Sequence, residues 1–72
     1  MKQIFEFYVS APLSEVAAIA GVISKYSDST LVQTVSEGDS IMHLTVRGSA
    51  ECYSDVSKQN IYSIEHFEDD FL

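Results

Sequence analysis

The apolar period of this chain switches at Pro12, and the switch limits what the chain can build. Upstream, QIFEFYVSA (3–11) alternates: Phe5, Phe7 and Val9 form one row and Ile4, Glu6 and Tyr8 the other, as in a half-buried strand. Downstream, in LSEVAAIAGVISKYS (13–27), Val16, Ile19, Ala20 and Ile23 recur at helical spacing and make one apolar stripe. Proline is tolerated in a first helical turn, so Pro12 marks the helix start, and Glu15 and Lys25 suit the two ends of the helix dipole. Gly21 costs about 1 kcal/mol inside a helix relative to alanine and would fit a close approach of helix to sheet. SDS (27–29) ends the helix. A strand with one apolar row, followed at once by a one-striped helix, calls for a helix laid on a sheet.

The stretch STLVQTVSEGDSIMHLTVRG (29–48) reads as a hairpin turning at SEGDS. Strict alternation puts Leu31, Gln33 and Val35 on one face and Val32 on the other, between Thr30 and Thr34. In the return strand Met42, Leu44 and Val46 share a face, and Ile41, His43, Thr45 and Arg47 share its reverse. Val32 is therefore expected to face the helix with Met42 and Leu44, leaving Leu31, Val35 and Ile41 on the less covered side. SAECYSDVSKQN (49–60) has no firm period and fits either a short helical turn or an irregular loop. IYSIEHF (61–67) reads as a last strand and EDDFL (68–72) as an exposed acidic end. The expectation is one α+β domain spanning 1–72, in the order β-α-β-β-weak α or loop-β. One main helix packs on a four-stranded, mostly antiparallel sheet, with only one sheet face well covered.

Seventy-two residues bury only about 60% of the surface an unfolded chain exposes, so a deep enclosed site would compete with the core. Forty-six per cent apolar and 21% charged residues make a globular composition. The net charge of −7 sets eleven acidic residues against Lys2, Lys25, Arg47 and Lys58, which are scattered. No basic stripe exists to neutralise phosphates, which argues against direct nucleic-acid binding, and an anionic membrane would repel the chain. Attraction to a basic protein surface fits the charge. Cys52 is the single cysteine, so no internal disulfide is expected. Glu6 and Glu15 interrupt the apolar stretch that a signal peptide needs, and no window reaches a transmembrane length, so a cytoplasmic protein is expected.

Motifs for catalysis are absent. Three isolated glycines make no phosphate-cradling loop, and His43, His66 and Cys52 lack paired-ligand spacing for a metal. His43, Asp39 and a serine could be drawn as a triad, but eleven serines strip that pattern of specificity. No enzyme activity, metal or cofactor is therefore expected. What remains is a set of acids (Glu37 and Asp39 at the hairpin turn, Glu51 and Asp55, then Glu65, Glu68, Asp69 and Asp70) and a groove between helix and sheet. Carboxylates fixed on a scaffold can occupy phosphate positions in a basic cleft. EDDFL also resembles the docking tails of bacterial single-stranded-DNA-binding proteins, although those tails follow a nucleic-acid-binding domain that this sequence lacks.

Three blocks in order, PLSEVAAIAG (12–21), LVQT (31–34) and IMHLT (41–45), resemble the phage uracil-DNA glycosylase inhibitor family across residues 6–46. Members imitate DNA and take an apolar side chain from the enzyme's DNA-probing loop. The resemblance places the family's pocket on Val16, Ile19, Val32, Met42 and Leu44, and its edge-strand glutamate on Glu6. The chain departs from the pattern where Phe7 and Tyr8 follow Glu6 and where Ala17 and Ala18 replace an acidic doublet. The family's leading helix and its tryptophan are missing as well. Phosphocarrier proteins and ACT-type regulatory domains share the element order. The former need a histidine where this chain has Pro12, Leu13 and Ser14, and the latter usually carry a turn glycine that is absent here.

The resulting expectation is a non-enzymatic acidic inhibitor, phage-encoded, that blocks the DNA-binding cleft of a host enzyme, uracil-DNA glycosylase first. Its contact residues would be Glu6, Glu15, Val16, Ile19, Val32, Glu37, Asp39, Met42 and Leu44, and it would be a monomer or weak dimer. The alternatives are a small regulatory or ligand-binding domain of phosphocarrier or ACT shape, or an inhibitor of another nucleic-acid enzyme such as a restriction or CRISPR effector.

Overall fold

The structure, a computed structural model, describes residues 4–66; the EDDFL end lies outside the described residues. Strand β1 (Phe5–Pro12) is followed by a single 3-10 turn (Leu13–Glu15) and helix α1 (Val16–Ser24). Then come β2 (Thr30–Glu37), β3 (Ile41–Gly48), helix α2 (Ala50–Ser57) and β4 (Ser63–His66). The sheet order is β2-β3-β1-β4, and every neighbouring pair is antiparallel. Because β3 runs antiparallel to both β1 and β2, the β1-α1-β2 unit is a βαβ crossover split by an inserted strand. The β3-α2-β4 unit is split by β1 in the same way. This is the βαββαβ arrangement called ferredoxin-like.

The Phe row is the core row: Phe5, Phe7, Val9 and Ala11 are buried and alternate with half-buried residues along β1. Leu44 and Val46 continue that face on β3, and Ile19, Val22 and Ile23 of α1 and Cys52 and Val56 of α2 close over it. Both helices therefore cover one sheet face, and no described helix covers the other. Several expectations are sharpened or corrected. Of the two readings of 49–60 the helical one holds, as α2 within that stretch is nearly as long as α1, so a second helix shares the cover with the main one. Its start is built by Ser49, whose hydroxyl accepts from the Cys52 N–H at 3.3 Å, as an N-cap should. Pro12 ends β1 with extended backbone, and α1 begins only at Val16. The expected last strand over 61–67 is ordered as a strand only at Ser63–His66, with residue 67 outside the described range.

A further correction is in the hairpin. Leu31 pairs with Val46 and Gln33 with Thr45, so Val32 is the extra residue of a β-bulge. The bulge resets the alternation: Leu31 packs against the core, whereas Val32 is 50% exposed. The expected placement of Val32 beside Met42 and Leu44 is corrected accordingly. Past the bulge, Val35 and Glu37 do lie on the face opposite the helices with His43 and Ile41.

Gly21 is exposed and a Cβ there would meet nothing within 4 Å, so it marks no close approach. Gly38 has φ of +66° in the hairpin turn, the left-handed region that glycine enters without a Cβ clash.

The two ends of the helical layer are tied by Tyr26, beyond α1, whose hydroxyl donates to the Asp55 carboxylate on α2. That bond, with desolvation and the Asp55 charge, pushes the Tyr26 pKa up to about 12 from its ordinary 10.0. The folded state thus holds this proton more tightly than the unfolded chain does. Its stabilising share is complete below pH about 10 and is lost as pH climbs towards 12. Urea midpoints measured across that window are expected to fall for the native protein, and Tyr26→Phe should flatten the fall.

Candidate functional site

Cross-strand pairing fixes what the face opposite the helices displays, because directly opposed residues share a face. One row runs Glu65, Tyr8, Thr45 and Gln33; the next runs Ser63, Ser10, His43 and Val35. Glu6 and Arg47 are opposed near one end of the face, and Pro12, Ile41 and Glu37 lie at the other.

Two polar clusters result. Tyr8 donates its hydroxyl to Glu6 Oε1 at 2.7 Å, and Arg47 Nη2 donates to Glu6 Oε2 at 3.3 Å. The Tyr8 hydrogen bond, outweighing some desolvation and helped by Arg47, holds the Glu6 carboxyl below its ordinary range, so Glu6 stays ionised. In the second cluster, His43 Nε2 lies 2.5 Å from Glu37 Oε1 and its Nδ1 lies 2.9 Å from Ser10 Oγ. An ionised carboxylate only accepts, so in the neutral ring Nε2 carries the proton and Nδ1 accepts from the Ser10 hydroxyl. Register makes this line: Ser10 opposes His43 directly, and Glu37 reaches it diagonally from β2. The carboxylate that meets His43 is Glu37, and not the Asp39 of the triad pattern set aside in the sequence.

A serine, a histidine and a carboxylate in that order suggest acyl transfer, which also needs donors aimed at a developing oxyanion. Ser10 and His43 sit on β1 and β3, each flanked by a strand on both sides, so the backbone N–H groups around them serve the ladders. The line orients His43 on an open surface, with the His43 and Glu37 side chains 44% and 69% exposed.

The other expected contact residues separate into two groups. Ile19 and Leu44 are 0% and 1% exposed and belong to the core, with Val16 and Met42 packed part-buried against it. Glu15, Glu37 and Asp39 gather at one pole, where the 3-10 turn meets the hairpin turn and the Leu13 N–H donates to Ser40 O at 3.0 Å. Among the described residues no lysine or arginine pairs with these three acids. Arg47 binds Glu6, Lys58 lies 3.9 Å from Asp55, and Lys25 follows the opposite end of α1. Exposed Leu13 and Val35, at 38% and 48%, flank the pole. Glu6 lies six residues before Pro12 along β1, roughly 20 Å from the pole at strand rise. Glu51 and Asp55 lie on α2, on the helical side of the sheet.

Among the described residues, no group of three or more His, Cys, Asp or Glu side chains is placed to hold a metal ion. No described helix is long and apolar enough to cross a membrane. The fold defines a small α+β domain of ferredoxin-like topology whose described helices both lie on one sheet face. No family model, curated protein or solved structure matches the chain.

Proposed function

We propose that this chain is an acidic binding protein of the inhibitor type that works by surface contact with a basic nucleic-acid cleft. A host DNA-acting enzyme is the target class and uracil-DNA glycosylase the first candidate. The observation that carries this reading is the pole of Glu15, Glu37 and Asp39, fixed by a backbone bond between two turns and flanked by exposed Leu13 and Val35. Carboxylates gathered on one end of a folded scaffold speed the encounter with a positive cleft. Nearby apolar side chains supply the desolvated anchor that an electrostatic contact alone lacks.

The burial of Ile19 and Leu44 moves the expected mode of contact from a groove between helix and sheet to this pole. A molar excess of the protein is expected to suppress uracil excision by the glycosylase, with the suppression fading as salt is raised. Glu37→Lys with Asp39→Lys should weaken it by an order of magnitude or more, on the scale of close interfacial charge pairs. Unchanged turnover at excess wild-type protein would remove the glycosylase from consideration.

A second reading is favoured by the topology itself. The βαββαβ order with both helices on one face is the shape of ACT-type regulatory domains, and a thermal-shift screen of free amino acids tests it. A saturable rise in melting temperature would support a ligand-binding role in place of the inhibitor.

A further inference from the structure

We propose that the free edge of β2 pairs antiparallel with the β2 edge of a second copy of this chain, joining two four-stranded sheets into one of eight. β2 ends the sheet order, so one side of its backbone has no neighbouring strand among the described residues. An exposed edge is a template for another strand, and soluble proteins usually blunt it with lysine, proline, short length or a bulge. Over Thr30–Glu37 there is no lysine and no proline, and the strand runs eight residues with only Leu31 partly buried. The bulge falls at Val32, near the start, and leaves Gln33–Glu37 in unbroken register with β3. The opposite edge, β4, is four residues long and carries Glu65 and His66.

Charge selects the occupant. Two copies at −7 each repel on most approaches, but residues 29–36 form an uncharged stretch, and only Glu37 of β2 bears a charge. A two-fold pairing centred on Val35 sets Val35 against Val35 of the second copy and Glu37 against its Gln33. One centred on Thr34 sets Glu37 against Leu31. In neither register does a carboxylate oppose a carboxylate, and Glu37 is already turned to His43 of its own chain. The edge is thus the place where this acidic chain tolerates its own copy, and the exposed Val35 supplies an apolar cross-strand pair.

Sedimentation equilibrium of the whole protein over a range reaching millimolar chain tests the pairing. The expected result is a mass rising from one chain to two, more readily at higher salt as the mutual repulsion is screened. Val35→Lys should weaken the dimer on the order of tenfold, since it removes an apolar pair and brings two like charges to the edge. Val35→Thr, which keeps a β-branched residue in the strand, should weaken it less. Leu13→Lys, an exposed apolar position off the edge, should leave it unchanged. Circular dichroism identical to wild type establishes that each variant is folded. A monomer at every concentration overturns the proposal. So does a dimer that Val35→Lys leaves intact or Leu13→Lys abolishes, or an edge that binds only a foreign extended segment.

Discussion

Phe7→Ala is expected to remove about 3–5 kcal/mol of stability, the usual range for deleting a large aromatic from a close-packed core. Phe7 is 0% exposed and heads the fully buried side chains by volume. Its ring stands edge-on to Tyr53 at 5.2 Å and tilted to Phe5 at 5.7 Å, so its loss empties the joint between β1 and α2. Phe7 also sits on a strand flanked on both sides, opposed to Val46 and to His66, and the backbone there has little freedom to collapse into the void. At roughly 0.05–0.15 kcal/mol per residue, a chain of this length has on the order of 4–11 kcal/mol in total. The variant should therefore be marginal, with a melting temperature lowered by about 15–30 °C and a urea midpoint near the start of the titration. A loss under about 1 kcal/mol would mean that the ring does not anchor the core.

That Phe7 belongs to the core was legible from alternation alone, and so was the more polar, half-buried reverse row of β1. The period-two row of Phe5, Phe7 and Val9 and the stripe of Ile19 and Ile23 each need a partner, and one sheet face under helices satisfies both. Helix α2 was harder to read because an eight-residue helix shows barely two turns of pattern. Only Cys52 and Val56 point fully inward, spaced by four, among polar neighbours. Its usable signal was Ser49 followed by Glu51, a cap and an acid in the first turn.

The hairpin misled for a different reason. Alternation carries no information about an inserted residue, so a single bulge at Val32 exchanged the roles of two adjacent apolar side chains. The Ser10, His43 and Glu37 line was invisible for the same cause. It depends on the register of three strands, two of which are more than thirty residues apart in sequence at the Ser10–His43 contact. Residue types suggested a histidine with a carboxylate, but only pairing distinguishes Glu37 from Asp39. The acidic pole, by contrast, is a consequence of topology. The β1-α1 connection and the β2-β3 turn emerge at the same end of the sheet, which brings Glu15 to Asp39 and Glu37.

The glycines give the second large effect, and its sign depends on which one is changed. Gly48→Ala is expected to destabilise the protein by about 1–3 kcal/mol, the cost of forcing an extra methyl into a packed site. A Cβ at Gly48 would stand 2.5 Å from Ser29 Oγ and 3.0 Å from Ser29 Cβ, with Cys52 Cβ at 3.4 Å. The hydroxyl can rotate away, but the Ser29 Cβ is fixed to the backbone, and Cys52 is locked under it by the first turn of α2. Relief therefore requires β3, the loop before β2 or α2 to move, and these three meet in the buried floor of the domain. Gly21→Ala should do the opposite. That position is exposed inside α1 with open space around the new methyl, so the substitution should add roughly 0.5–1 kcal/mol through helix propensity alone. Urea titrations of the two single variants, with unchanged m-values, are expected to move the midpoint in opposite directions. A stabilising Gly48→Ala would show that helix α2 does not bear on the end of β3 as closely as the structure places it.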